Sequence, residues 1–247
     1  MARFLNFLPL PRLMKKKQNT CNNSSIESLP MELLTEILSQ VASSSVTDLS
    51  NAKQSCRKLL KAGNDDYVFQ HASLDKFPIA WPATDRAAYL FLTRCKRSGN
   101  AEALYRQGML EYFSFCCTNS GLQLLKRAAE KKHAESIYVY SVIVLCSGDD
   151  QFKKQGSQLL ASLTSSRIRE CRENIKRVIR WMLIRNIIVQ EEKEDSKPRT
   201  CNCLSKKNAG WENEDEIIGC RESCLSIGEV TFFCNLLRNY YVFKHFE

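Results

Sequence analysis

The hydrophobic positions after residue 29 recur along one side of a helix. Pro30 suits the first helical turn, where its missing N–H is not needed, and Glu32 in that turn complements the positive end of the helix dipole. The apolar residues that follow are spaced at about the helical period of 3.6 residues: Leu33, Leu34, Ile37, Leu38 and Val41. Serines at 43–45 end the pattern, so the sequence predicts an amphipathic helix between Pro30 and this serine run.

A second apolar pattern predicts another helix over residues 46–60. Thr47 or Asp48 is available as its N-cap, because either side chain can accept a hydrogen bond from a first-turn N–H. Gly63 ends the element, and a third short apolar piece follows over residues 67–74. The apolar side chains that fall on one side of the second helix are Leu49, Ala52, Cys56 and Leu59.

These elements together resemble an F-box. The resemblance rests on LPMELLTEILSQV at 29–41 and DLSNAKQSCRK at 48–58. It implies a three-helix module over residues 25–75 that docks on the Skp-type adaptor of a cullin-RING ubiquitin ligase. A module of about 45 residues with three short helices cannot bury all its apolar side chains, so an exposed leucine-rich face fits a partner's surface. The residues that the resemblance assigns to the adaptor-docking face are Leu29, Pro30, Leu33, Ile37 and Leu49.

Residues 76–190 carry an internal repeat. Tyr105 recurs 33 residues later as Tyr138, and Gly121 recurs 35 residues later as Gly156. A period in the mid-thirties, with small residues inside paired amphipathic helices, is typical of a helical solenoid. The repeat resembles the Sel-type branch of the tetratricopeptide superfamily, and with the F-box it resembles plant F-box proteins that carry a tetratricopeptide-like domain. This resemblance implies that the repeats bind a target protein, which the sequence does not identify.

A basic helix face is the basis of an alternative function. The net charge is +9, from 36 basic and 27 acidic residues, and much of it lies on the helix predicted over residues 166–186. That face could bind RNA or another acidic partner, in a protein that works as a scaffold outside any ligase. A solvated face is the favoured interpretation, and nucleic acid is not an expected partner, because no base-stacking aromatic residues interleave with these cations. The basic residues are Arg169, Arg172, Lys176 and Arg180.

The chain contains twelve cysteines, and those near its C-terminus raise the question of a metal. Two close pairs, separated by a 16-residue insert, could give four thiolates to one tetrahedral Zn²⁺. Their spacing differs from the tight C-x-x-C knuckles of zinc ribbons, so free thiols remain the alternative and no other cofactor is expected. The four candidate ligands are Cys201, Cys203, Cys220 and Cys224.

The sequence lacks the motifs that support the common catalytic chemistries. It has no phosphate-binding loop, no dinucleotide fingerprint and no H-E-x-x-H zinc motif, and its three histidines lie in no nucleophile setting. We therefore expect no enzyme activity. No apolar run is long enough to span a membrane, and the N-terminal residues do not fit a secretory leader, so we expect a reducing compartment. The lysines at 15–17 allow import into the nucleus, so nucleus, cytoplasm or both are expected.

The predicted architecture is all-α. It consists of a disordered tail over residues 1–24, the three-helix F-box over 25–75 and a short stack of helical hairpins over 76–190. A polar linker and an irregular cysteine-containing segment follow over residues 191–247.

Overall fold

The computed structural model describes residues 26, 28–77, 86–146, 150–186 and 222–245. All regular structure in these residues is helical, which confirms the all-α class. The chain divides into two compact units, Met1–Ala103 and Leu104–Glu247.

The first unit contains four helices and a fifth that packs on them. Their bounds are α1 Met31–Ser44, α2 Val46–Ser55, α3 Arg57–Ala62, α4 Asp66–His71 and α5 Arg86–Arg97. Helices α1 to α5 all contribute to the core of this unit, which is built mainly from aliphatic residues with Phe69 and Phe77. The first predicted helix is confirmed, because α1 begins directly after Pro30.

The second predicted helix is two helices in the structure. Cys56 has an extended backbone, with φ −152° and ψ 162°, and its Sγ accepts a hydrogen bond from the Leu59 backbone N–H at 3.5 Å. The chain therefore turns at Cys56 while both Leu49 and Leu59 still reach the core. The predicted N-cap was also wrong: Ser45, rather than Thr47 or Asp48, caps α2 by accepting from the backbone N–H of residue 48 at 3.2 Å.

Helix α5 packs with the first unit, although the sequence placed the domain boundary at 75/76. The Phe91 ring stacks on Phe77 at 5.1 Å and lies 5.5 Å from Phe69. The loop after α5 is held by Asn100, whose buried amide donates to the carbonyls of Phe69 and Ala72 at 3.1 and 2.8 Å. The compact unit therefore extends beyond the three-helix module.

The second unit is built from helices that pack as neighbours around α8. Helix α6 continues through a π-helical turn, Leu110–Ser114, before the chain reverses. Gly121 allows the first close crossing, because a Cβ there would lie 2.5 Å from the backbone N of Tyr112. Helix α8 is buried on nearly all sides, since it contacts α7, α9 and α10 and the last helix of the chain. The bounds are α6 Ala101–Met109, α7 Thr118–Glu130, α8 Ala134–Cys146, α9 Asp150–Ala161, α10 Ser165–Arg180 and α11 Glu222–His245.

The C-terminal segment is a 24-residue helix over Glu222–His245, which corrects the prediction of an irregular tail in that range. Its buried residues Val230, Phe233 and Leu237 recur at spacings of three and four, so one apolar face of α11 packs against α8, α9 and α10. The spacing of these three residues is present in the sequence.

Candidate functional site

Helix α1 presents apolar side chains to solvent beside the face that carries its core residues. Leu33 is 52% exposed and Ile37 is 41% exposed, whereas Leu34 and Leu38 point into the core. Pro30 precedes them by about one turn and is exposed, and Leu29 is half-buried. Side chains three and four residues apart lie on the same face of a helix. We call this set, Leu29, Pro30, Leu33 and Ile37, the α1 surface.

Leu49 does not belong to this exposed set. It is only 2% exposed and lies in the core cluster of the first unit. The expectation that Leu49 lies on an open docking face is therefore wrong for this structure. The physical reason is that α2 packs against α1 and α3 through the side that carries Val46 and Leu49.

Lys58 holds the start of the α1 surface in place. Its ammonium donates a hydrogen bond of 2.6 Å to the backbone carbonyl of Leu29. The Leu29 carbonyl lies before the first helical turn, so it is not needed for a hydrogen bond within α1. The charged ammonium of Lys58 makes a strong hydrogen bond to it. The sequence showed Lys58 as part of a motif, but it did not show what the side chain binds.

An open groove lies beside the α1 surface, between α1 and the start of α4. Six residues line it, three of them acidic: Met31, Glu32, Thr35, Glu36, Asp65 and Tyr67. A hydrogen bond to Glu36, together with the negative charge of that group, raises the pKa of Tyr67. The contact ties α4 to the exposed side of α1.

Curated relatives are similar in sequence to this chain over more than half of its length. It is 30% identical over 211 residues to At1g67623 of Arabidopsis thaliana, named as a candidate F-box protein, with 79% of this chain and 70% of the relative covered. It is also 30% identical over 142 residues to F-box protein At2g35280 of the same plant, with 57% of this chain and 86% of the relative covered. The chain belongs to the F-box proteins.

The repeat region of this F-box protein is also matched. The family model described as plant tetratrico peptide repeats matches residues 74–180. A third relative, F-box protein At5g50450 of Arabidopsis thaliana, is 31% identical over 134 residues, covering 53% of this chain and 40% of the relative. No solved structure matches the chain. The resemblance to plant F-box proteins with a tetratricopeptide-like domain is therefore confirmed.

The Lys58→Met variant should be less stable at the start of the F-box, although methionine keeps the apolar stem of the lysine side chain. The loss of the charged hydrogen bond to Leu29 is expected to lower the free energy of unfolding by about 1 kcal/mol. Thermal denaturation followed by circular dichroism measures the change. Lys61→Met is the matched control, because Lys61 is an exposed lysine on the same short helix. Equal stability of the two variants would contradict a supporting role for Lys58.

Two of the four residues of the predicted basic face of α10, Arg172 and Arg180, contact residues of α11. Arg172 is ion-paired with buried Glu229 of α11, and its guanidinium lies over the Phe232 ring, 4.9 Å from the centroid. Arg180 donates to the Tyr240 hydroxyl at 3.1 Å. Lys176 pairs with Glu173 at 2.6 Å. Arg172 and Arg180 therefore link α10 to α11 in this F-box protein, whereas Arg169 is exposed.

A buried polar triad forms at the centre of this α8–α10–α11 packing. The Tyr138 hydroxyl donates to Glu229 Oε2 at 2.8 Å, and Arg172 Nε donates to the same oxygen at 2.9 Å. A second guanidinium nitrogen of Arg172 donates to Oε1. Burial, then the charge of Glu229 and the hydrogen bond to it, raise the pKa of Tyr138 well above its ordinary value. Tyr138 therefore remains a donor, and both carboxylate oxygens are satisfied.

The predicted zinc ligands fall outside what the structure describes. Three of them are outside the described residues: Cys201, Cys203 and Cys220. The fourth, Cys224, lies on α11, but its own side chain is not described. Within the described ranges, no three His, Cys, Asp or Glu side chains come together in a way that could hold a metal ion. In those same ranges, no helix combines the length and the apolar character needed to cross a bilayer.

Proposed function

We propose that this F-box protein is a substrate-recognition subunit of a Skp–cullin–F-box ubiquitin ligase. The α1 surface, without Leu49, would bind the Skp-type adaptor, and the helical repeats of the second unit would bind the target protein. The observation that carries the proposal is the exposure of Leu33 and Ile37 next to Pro30 in a chain of this family. A contiguous exposed apolar stripe fits a partner's hydrophobic surface, where a few anchors supply most of the binding energy.

The proposed mechanism is proximity. A protein that binds the adaptor with one region and the target with another raises the effective concentration of the target near a ubiquitin-loaded enzyme, which is bound elsewhere in the complex. The F-box chain contributes no reacting group in this proposal. The target remains undefined, and the ligand of the repeats is expected to be a protein.

Leu33→Asp should weaken adaptor binding at least tenfold, which corresponds to about 1.4 kcal/mol. The reason is that a carboxylate would be buried without a partner at the centre of the apolar contact. Leu33 is half-exposed in the free chain, so the fold should tolerate the change. Titration of the full chain with purified Skp-type adaptor by isothermal calorimetry measures the affinity.

Leu90→Asp is the matched control for this experiment. Leu90 is 57% exposed on α5, so it is an equally accessible leucine outside the α1 surface. Unchanged binding by Leu90→Asp with weakened binding by Leu33→Asp supports the docking role. Equal affinities for both variants and the wild type would reject it. In cells, Leu33→Asp should still capture the target while failing to promote its ubiquitination, which separates target binding from adaptor binding.

A further inference from the structure

Exposed apolar and basic side chains are clustered where α10 ends. Trp181 lies directly after the last residue of α10 and is 69% exposed, and Leu183 is 42% exposed. The intervening residue Met182 and the following residue Ile184 are each only 2% exposed. Exposure therefore alternates along this short segment, and the next exposed side chain is that of Arg185. Three side chains of the segment face solvent, while the residues between them face the core.

The backbone of this segment is held by hydrogen bonds to the π-helical turn that follows α6. The N–H groups of Arg185 and Asn186 donate to the carbonyl oxygen of Phe113 at 2.8 and 3.0 Å. The side-chain amide of Asn186 donates to the carbonyl oxygen of Tyr112 at 3.1 Å. Phe115 is 54% exposed and lies two residues after Phe113, so the Cα atoms of these two residues are within about 7 Å of each other. A third large apolar side chain is therefore exposed near the same backbone contact. A main chain that is already ordered loses less conformational freedom when a partner binds.

Three exposed arginines lie next to these apolar side chains in the sequence: Arg177, Arg180 and Arg185. Arg177 precedes Trp181 by four residues, and residue 181 keeps a helical backbone, so the two side chains lie on the same side of the helix. Arg177 donates to the side-chain oxygen of Asn174, and Arg180 donates to a tyrosine hydroxyl of α11 at 3.1 Å. Both acceptors are neutral. Among the residues that the structure describes, none of the three arginines forms an ion pair with a carboxylate.

We call this set of three apolar and three basic residues the α10-end patch. It is positively charged, in a chain whose net charge is +9. The acidic residue of α10 that lies nearest to it in sequence, Glu173, is paired with Lys176 at 2.6 Å. The charge of the patch therefore remains for a partner, and a surface of opposite charge speeds and orients association. The patch consists of Phe115, Arg177, Arg180, Trp181, Leu183 and Arg185.

We propose that the α10-end patch is a docking surface for a protein segment that carries a large apolar side chain between acidic residues. The apolar side chain would pack on Trp181 and Leu183, and the carboxylates would pair with the arginines on either side. Tryptophan and arginine are among the residues that most often supply the binding energy of a protein interface. The inference rests on the proposed function, since it gives the second unit a surface at which the target protein binds.

The short extent of the charge favours a protein segment over RNA. Two basic residues of α10 that precede the patch already have carboxylate partners. Arg172 pairs with Glu229. Lys176 pairs with Glu173. Single-stranded nucleic acid needs a basic groove that follows several phosphates, together with aromatic side chains on which successive bases stack. The apolar neighbour of the tryptophan, Leu183, is aliphatic, so the patch fits one short acidic segment with an apolar anchor.

The test measures the binding of short synthetic peptides to the full-length chain by fluorescence anisotropy. One set of peptides carries leucine, phenylalanine or tryptophan between glutamates, and the second set has lysine in place of each glutamate. We expect peptides of the first set to bind and those of the second set not to bind. Trp181→Ala and Arg185→Glu should each weaken the binding of the acidic peptides at least about tenfold, because each removes a central contact. Two matched controls should bind like the wild type: Phe152→Ala, which changes an aromatic residue that is 49% exposed on α9, and Arg127→Glu, which changes an exposed arginine of α7.

Titration of the same variants with the Skp-type adaptor separates this inference from the ligase proposal. Trp181→Ala should bind the adaptor with the affinity of the wild type, because residue 181 lies outside the F-box. Adaptor binding without any preference for acidic peptides would reject the docking surface and leave the ligase proposal intact. Binding of acidic peptides that depends on Trp181, in a chain that does not bind the adaptor, would support the docking surface and reject adaptor binding.

Three other results would overturn the proposal. The first is equal affinity of Trp181→Ala and the wild type for the acidic peptides. The second is tighter binding of an oligouridine RNA that Trp181→Ala loses, which would assign the patch to nucleic acid. The third is dimerisation of the chain in analytical ultracentrifugation that Trp181→Ala abolishes, which would assign the patch to a second copy of the chain. Trp181 is 69% exposed, so the variant should keep its fold, which circular dichroism checks. Arg185→Glu provides a second, independent variant.

Discussion

The Glu229→Ala variant should lose about 3 to 5 kcal/mol of unfolding free energy, because it leaves a buried guanidinium without its counter-ion. Glu229 is 2% exposed, and its two carboxylate oxygens accept from Arg172 and Tyr138. Alanine removes every one of these acceptors at once. The Arg172 charge would then stay in a site where its side chain is only 17% exposed. Denaturant unfolding followed by circular dichroism measures the loss.

Two control variants separate the buried ion pair from ordinary contacts. Glu170→Ala breaks a surface pair with Arg167, in which both side chains are about half exposed, so its effect should stay below about 1 kcal/mol. Tyr138→Phe removes one hydroxyl donor and leaves the ion pair, so a loss of about 1 kcal/mol is expected. A Glu229→Ala effect no larger than that of Glu170→Ala would show that the triad does not stabilise the packing of α11.

Gly121→Ala should destabilise the second unit by about 1 to 3 kcal/mol, the usual range for an overpacked core. The added Cβ would lie 2.5 Å from the backbone N of Tyr112 and 2.8 Å from its Cα. Backbone atoms cannot rotate away as a flexible side chain can, so the helix α7 must move away from the π-helical turn that precedes it. The thermal midpoint of the purified chain reports the change.

Gly228→Ala is the matched control, and it should act in the opposite direction. A Cβ at Gly228, on α11, would meet nothing within 4 Å. Alanine is a better helix former than glycine by about 1 kcal/mol, so this variant should gain between about 0.5 and 1 kcal/mol. If the two glycine-to-alanine variants change the free energy of unfolding in opposite directions, the close crossing at Gly121 decides the loss of stability, and the number of glycines does not. A loss of stability in both variants would contradict this interpretation.

The helices were predictable where the signal was local. The helix after Pro30 and the small residues at Gly121 and Gly156 were read from spacing alone, and the structure places both glycines at close helix crossings. Spacing along a helix depends only on the chain itself, so it can be read without knowing what lies opposite. The break at Cys56 was missed because a cap that uses a thiol has a weak sequence signal.

The candidate docking site was predicted in part. Leu33 and Ile37 are exposed as a docking face requires, but Leu49 is in the core. The apolar residues of α1 cover a wide angle around the helix. Hydropathy alone therefore cannot distinguish the exposed pair, Leu33 and Ile37, from their neighbours Leu34 and Leu38. That choice depends on where α2, α3 and α4 pack on α1, which is decided by contacts between different helices.

The basic residues of α10 show again that contacts between distant parts of the chain cannot be predicted from the sequence of one helix. Arg172, Lys176 and Arg180 are spaced as a solvent-facing stripe would be, yet the partners of Arg172 and Arg180 lie on α11, about 60 residues later. Spacing within one helix carries no information about a second helix that covers it.

The sequence by itself determined that this protein is all-helical, that it carries an F-box followed by tetratricopeptide-like repeats, and where glycine was needed for close crossings. These features are set by local periodicity and by motifs of neighbouring residues. Only the tertiary structure decided which leucines reach solvent and which arginine is buried against Glu229. Each of those outcomes depends on burial and pairing between segments far apart in the chain, and the free energy of such contacts exists only once the helices have packed.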